Sequence, residues 1–206
     1  MSVQRLGVDE AGRGPVLGPM VMAGLCVPES DLPKLAELGV QDSKLFGASA
    51  KAKKQRKELS EQLKMWPHRI EVADSDEVDR WVRGNGLNEL ERAMASRILK
   101  DFPEAQVMLD GAGIFGALCT STVQAQNKAD QDYLEVAGAS IIAKHLRDEL
   151  MTQLLAPFEE TFGKVSGGGY ANAGSLKFVA WYHEQTGRLP SFYRHSYQWK
   201  AAAHLR

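Results

Sequence analysis

Apolar residues gather in short runs through the first half of the chain and recur at helical spacing through the second. Val3–Val8 and Pro19–Val27 read as β-strands on either side of a glycine-rich loop, and "RIEVA" at Arg69–Ala73 is a third candidate with alternating character. Between them "SAKAKKQRKELSEQLKMW" opens on Ser49 as a cap and brings Ala52, Leu59, Leu63 and Trp66 near one face, the signature of an amphipathic helix. Leu87, Leu90, Met94 and Ile98 predict another. "AQVMLDG" then reads as a buried strand ending at Asp110, and "TSTVQAQ" as a strand before "NKAD". A long helical pattern runs from Tyr133 to Leu155. After it come a loop, "SGGGYANAGS", a helix over about Ser175–Gln185 and a last polar helix near the end.

The loop between the first two strands is too short for a crossover helix, so those strands should be antiparallel neighbours, while later strands arrive after helices and can be parallel. A mixed sheet covered by helices follows, of α/β or α+β class, with a helical C-terminal part. The 206 residues show no repeat, low-complexity tract or linker, so a single domain is expected. With 25 basic and 26 acidic residues the net charge is −1, which excludes a bulk polycation and leaves nucleic-acid binding to local patches. Cys26 and Cys119 stand far apart, outside any zinc or disulfide spacing, as in a reduced compartment. No segment approaches the roughly 20 apolar residues of a membrane span, and no signal peptide is evident; a cytoplasmic protein without membrane association is expected.

Candidate chemistry begins at "RLGVDEAGRGPVLGP". Its glycines suggest a phosphate loop, but the spacing is one residue longer than the dinucleotide fingerprint and no clear helix follows. Asp9 and Glu10 would also repel a pyrophosphate. Two adjacent carboxylates at a strand end suit a divalent cation such as Mg²⁺, which takes oxygen ligands together with substrate phosphates; alone they read equally well as a surface acidic pair. Asp110, after an apolar run and before a glycine, is poorly placed for a solvated surface. Asp130 in "NKADQDY" falls where a strand gives way to a helix, where capping is an equal alternative. Four such acids can hold two divalent cations about 4 Å apart, the spacing of two-metal phosphodiester chemistry.

The motifs "GVDEAGRGPVLGPMV", "DSK" at Asp42–Lys44, "LNELE" at Leu87–Glu91, "LDG" at Asp110, "KAD" at Asp130, "ASIIAKHLRD" at Ala139–Asp148 and "GGGY" ending at Tyr170 occur in the order found in ribonuclease HII, which the chain resembles from about Leu6 to Tyr170. The resemblance implies a ribonuclease H-like five-stranded mixed sheet flanked by helices, with a C-terminal helical region (about 157–206) forming part of the substrate groove. It implies a monomeric endonuclease that cuts RNA in RNA–DNA hybrids and cuts beside ribonucleotides embedded in DNA, leaving 5′-phosphate and 3′-hydroxyl ends. Asp9, Glu10, Asp110 and Asp130 match the family's ligands for two divalent cations, Mg²⁺ or Mn²⁺, one orienting the attacking water and the other stabilising the leaving 3′-oxygen. Gly12, Arg13 and Gly14 match the segment that recognises the ribose 2′-hydroxyl largely through backbone groups, the atom that distinguishes RNA from DNA. Ser43 and Lys44 match a motif contacting the substrate backbone, and Tyr170 the tyrosine that senses the RNA-to-DNA junction.

Other features carry less. Lys144, Arg147 and Asp148 share a helix, where an intrahelical ion pair is the plain alternative. "KAKKQRK" at Lys51–Lys57 is a local phosphate track or a solvated helix face. The five histidines show no metal-ligand spacing. Gly138, inside a predicted helix, should cost about 1 kcal/mol relative to alanine. "FYRHSYQWK" only loosely follows the family's closing motif, and no clamp-binding tail is evident. The competing reading is a junction-binding protein that cleaves poorly.

Overall fold

The computed structural model describes residues 2–40 and 49–205. Five strands, β1 (Gln4–Ala11), β2 (Met20–Pro28), β3 (His68–Ala73), β4 (Gln106–Asp110) and β5 (Val123–Gln126), form one sheet in the order β3-β2-β1-β4-β5. β1 and β2 are antiparallel, from Gln4 opposite Pro28 to Ala11 opposite Val21. β4 runs parallel to both β1 and β5. The mixed sheet expected from the loop lengths is therefore present.

β1 continues three residues beyond the apolar run that marks it in the sequence, so Asp9 and Glu10 lie inside the strand rather than after its end. The ladder is made by backbone groups, and Ala23 and Met22 of β2 stand opposite the two acids. The helices are α1 (Leu32–Glu37), α2 (Ala50–Leu63), α3 (Ser75–Gly84), α4 (Leu87–Lys100), α5 (Ala112–Phe115), α6 (Ala129–Asp132), α7 (Leu134–Leu155), α8 (Glu159–Phe162) and α9 (Ala173–Thr186). Ser49 caps α2 as expected, its hydroxyl accepting the Ala52 N–H at 3.1 Å. The expected terminal helix is a 3₁₀ segment, Lys200–Leu205, with Ala202 buried. Sequence periodicity did not reveal α3, yet Asp74 and Glu77 announce it: the Asp74 carboxylate accepts the Glu77 N–H at 2.7 Å.

The chain packs as two compact units. The first comprises the segment ending at Ala11, Val21–Glu71 and Asn88–Leu146; the second comprises Gly12–Met20, Val72–Leu87 and the chain from Arg147 onward. In the first unit, α7 and α4 cover opposite faces of the sheet. Gly7 of β1 meets the backbone of Glu135 and Val136 so closely that a Cβ would stand 2.2 Å from their atoms, and a Cβ on Gly138 would stand 2.5 Å from Leu25. Gly138 therefore replaces a helix-favouring alanine with a closer helix–sheet approach. On the other face Ile98 of α4 lies against Gly24. On α2 the buried positions are 52, 56, 59, 60 and 63, so Arg56 turns inward while Lys51, Lys53, Lys54 and Lys57 remain exposed.

The second unit has its own core, in which Leu17, Met151, Phe178, Val179, Phe192 and Tyr193 are buried and Phe158, Phe162 and Trp181 pack around them. The Phe178 and Phe192 rings lie nearly parallel, centroids 6.1 Å apart. Among the described residues no helix is long and apolar enough to cross a membrane.

Candidate active site

Parallel pairing of β1 with β4 ends at Val8 opposite Leu109. Asp9 and Asp110 are the next residues on these neighbouring strands, so both point from one face of the sheet at one level. Gly111, in the left-handed region at φ 117, turns the chain away behind Asp110. Beyond β5 the chain reverses at Lys128, whose φ of 61 is the sole positive value for a non-glycine among the described residues. That turn starts α6, whose second residue is Asp130. Asp130 is therefore within the helix, and the capping alternative fails because Lys128 occupies the N-cap.

Two reciprocal hydrogen bonds fix this corner. Asp110 Oδ1 accepts the Ala129 N–H at 2.9 Å, and Asn127 Oδ1 accepts the Ala112 N–H at 2.9 Å. As a result one carboxylate oxygen each from Asp9, Asp110 and Asp130 lie within 4.8 Å of one another. Glu10 is outside that group, so the structure gathers three of the four acids singled out in the sequence.

Asp9 is 6% exposed and Asp130 2%. Burial pushes the Asp9 carboxyl well above the usual carboxylate range; the charges of Glu10 and Asp110 push it the same way. Opposing them, the Ser140 side chain hydrogen-bonds to Asp9, and the Glu10 N–H donates to Asp9 Oδ1 at 2.7 Å. Buried carboxylates facing one another need protons or a cation to balance them. Opposite oxygens around a magnesium-sized ion stand roughly 4 Å apart, so this donor set fits a divalent cation. Ser140 and Asn127 escaped the sequence reading. Ser140 lies within "ASIIAKHLRD", and nothing in the sequence pairs it with Asp9.

The substrate-contacting residues implied by the resemblance fall in the second unit or outside the described residues. Ser43 and Lys44 lie outside them. Gly12 takes φ 92, and a Cβ there would stand 2.4 Å from Arg147 Nε and 2.6 Å from the Pro19 carbonyl oxygen. Gly14 is exposed and Arg13 half-buried. The Tyr170 ring, about half exposed, lies 3.5 Å from where a Gly14 Cβ would be. The Arg147 guanidinium sits 5.9 Å from the centre of that ring and donates to the Gly168 carbonyl at 2.9 Å. Arg147 is 2% exposed, so it braces the loop rather than offering its charge to solvent.

A mixed sheet of this order, with carboxylates at the ends of adjacent parallel strands, defines a ribonuclease H-like hydrolase. The family model for ribonuclease HII matches residues 6–200. A ribonuclease HII from Methanothrix thermoacetophila is 33% identical over 212 residues, covering 98% of this chain and 96% of that protein. The crystal structure of ribonuclease H2 from Pyrococcus horikoshii OT3 superposes with a TM-score of 0.81 at 28% identity, covering 98% of this chain and 97% of that one. The ribonuclease HII in the PCNA complex from Archaeoglobus fulgidus gives 0.76 at 30% identity, with 95% and 96% covered. The chain belongs to the ribonuclease HII family, metal-dependent endoribonucleases that act on RNA–DNA hybrids.

Proposed function

We propose that this protein cleaves the RNA strand of RNA–DNA hybrids and incises 5′ to ribonucleotides embedded in duplex DNA, leaving 5′-phosphate and 3′-hydroxyl ends. The observation that carries the reading is the cluster of Asp9, Asp110 and Asp130, whose oxygens lie within 4.8 Å of one another. These three carboxylates would hold divalent cations, Mg²⁺ or Mn²⁺, with Glu10 completing the negative field beside Asp9. Bound there, two cations supply Lewis-acid chemistry, activating the attacking water and neutralising charge on the leaving 3′-oxygen. Ala129 holds Asp110 and Ser140 holds Asp9, so the carboxylates are oriented before substrate arrives. No histidine is needed as a base. In the second unit Gly12, Arg13 and Gly14 present backbone to the ribose, and the exposed ring of Tyr170 beside Gly14 meets the sugar at the junction. Ser43 and Lys44 are assigned to the substrate backbone by their motif alone.

The test is a DNA duplex containing one ribonucleotide, incubated with Mg²⁺ or Mn²⁺ and with EDTA. Metal-dependent incision 5′ to the ribonucleotide is expected. Binding without incision under every metal condition would establish instead a junction-binding protein.

A further inference from the structure

The closing segment "FYRHSYQWK" places two polar side chains on one backbone oxygen. The Arg13 carbonyl accepts the Tyr197 hydroxyl at 2.6 Å and Arg194 Nη1 at 3.2 Å. Arg194 Nη1 also donates to the Tyr197 oxygen at 3.0 Å, and its Nε donates to the Gly18 carbonyl at 2.9 Å. Arg194 is fully buried, its guanidinium 5.1 Å from the centre of the Tyr197 ring. Burying a guanidinium is costly, and this one engages backbone carbonyls and a phenol. The segment is held in turn by Asp79, whose carboxylate accepts the N–H groups of His195 and Ser196 at 2.7 and 2.8 Å. The Arg194 N–H donates to the Val16 carbonyl at 2.9 Å.

Peptide geometry converts this clamp into a consequence on the other side of the loop. In a planar trans peptide the carbonyl and the following N–H point in opposite directions, and no cis bond occurs among the described residues. The Arg13 carbonyl is turned inward to the buried Arg194, so the Gly14 N–H is turned outward. Gly14 is exposed, and Pro15 after it has no N–H. The Gly14 N–H is thus an outward donor beside the Tyr170 ring.

We propose that Arg194 and Tyr197 are positioning residues for ribose recognition: by pinning the Arg13 carbonyl they present the Gly14 N–H to the 2′-oxygen of the ribonucleotide. This rests on the reading that the Gly12–Gly14 segment meets the ribose. Tyr197 matters here through its hydroxyl, which neither the hydrophobic pattern nor the motif reading assigns a purpose.

The decisive variant is Tyr197→Phe, which removes one hydroxyl and keeps the ring over Arg194. Binding is measured in an Asp110→Asn background, where cleavage does not intervene, on a duplex with one ribonucleotide and on the all-DNA duplex. The ratio of the two affinities should fall about two- to tenfold, the worth of one hydrogen bond, with all-DNA binding unchanged. Arg194→Lys, which keeps the charge and loses the fork, should move the ratio the same way. An unchanged ratio overturns the proposal, as does equal weakening on both duplexes, which marks a merely structural role. Should Arg194→Lys fail to fold, Tyr197→Phe decides alone. A Tyr197 parent that binds both duplexes equally overturns the ribose reading itself and the positioning role with it.

Discussion

The carboxylate of Asp110 accepts the backbone N–H of Ala129 at 2.9 Å, so one of the site's own acids ties the end of β4 to the start of α6 and brings Asp130 beside it. Asparagine at position 110 keeps an oxygen acceptor for that N–H and loses the charge. Asp110→Asn should therefore fold normally and bind hybrid, while its incision rate falls by more than the roughly 100-fold typical of residues that only support metal ligands. Asn127→Ala, which removes the acceptor for Ala112, should stay within that 10- to 100-fold range. Single-turnover cleavage of a hybrid checks both, and wild-type rates for Asp110→Asn would remove it from the site.

Asp9 makes the fold's stability depend on pH in a defined direction. Its folded proton affinity is raised by burial and by the charges of Glu10 and Asp110. Its stabilising contribution is therefore complete below the unfolded carboxyl value of about 3.9 and is lost as the pH climbs through the raised folded value. In EDTA, Tm should fall as pH rises above that range, and Mg²⁺ or Mn²⁺ should restore it increasingly at higher pH. Asp9→Asn should flatten the EDTA profile and weaken the response to metal. Thermal scans across pH test this directly; an EDTA profile of Asp9→Asn parallel to the wild type's would show that Asp9 is not the group responsible.

Two glycines where α7 meets the sheet should differ in their tolerance of a methyl group. A Cβ at position 7 meets backbone atoms of Glu135 and Val136 that cannot yield, so Gly7→Ala should cost at least the roughly 3 kcal/mol upper end of ordinary overpacking. At position 138 the obstacle is the tip of Leu25, and alanine regains about 1 kcal/mol of helix propensity. Gly138→Ala should accordingly cost much less. Denaturant unfolding of both variants supplies the comparison, and equal losses would contradict the packing described for α7.

Asp79 is 3% exposed and accepts from the His195 and Ser196 N–H groups and from the Ser196 hydroxyl at 2.6 Å. Asp79→Ala leaves these donors unpaired. His195 is exposed and Ser196 half-buried, so water takes up part of the loss; at about 1 kcal/mol net for each hydrogen bond, a loss of about 1–3 kcal/mol is expected in equilibrium unfolding. A change under 1 kcal/mol would mean that water or a rearranged loop replaces the carboxylate.

Tyr170 is about half exposed, so removing its ring costs the core little. Tyr170→Ala should reduce incision at a single embedded ribonucleotide more than cleavage within a long hybrid. Steady-state kinetics on the two substrates give the ratio, and an unchanged ratio would take junction sensing away from this residue.

Periodicity and loop length alone were enough for much of the fold. Short apolar runs, a connection too short for a crossover and helices at 3.6-residue spacing specify a mixed sheet with helical cover, because each of these signals is local. Ordered motifs likewise pointed to Asp9, Asp110 and Asp130 as partners. Other features were not legible for physical reasons. The continuation of β1 past Val8 depends on β2 lying alongside, which no property of Asp9 or Glu10 reveals. The helix at Ser75–Gly84 has a cap signal and only a short apolar stripe, Val78, Trp81 and Val82, and it is secured by Asp79 holding residues more than a hundred positions away.

By itself the sequence determined which residues are chemically able to hold a cation and where most of the strands and helices fall. Only the tertiary structure decided that three acids meet while Glu10 stands aside, that Arg56 turns inward from a basic run, and that Arg194 and Tyr197 grip the carbonyl of Arg13. Convergence of this kind is set by strand register and by hydrogen bonds between distant segments. A linear pattern, which encodes each segment's periodicity, carries no measure of the distances between them.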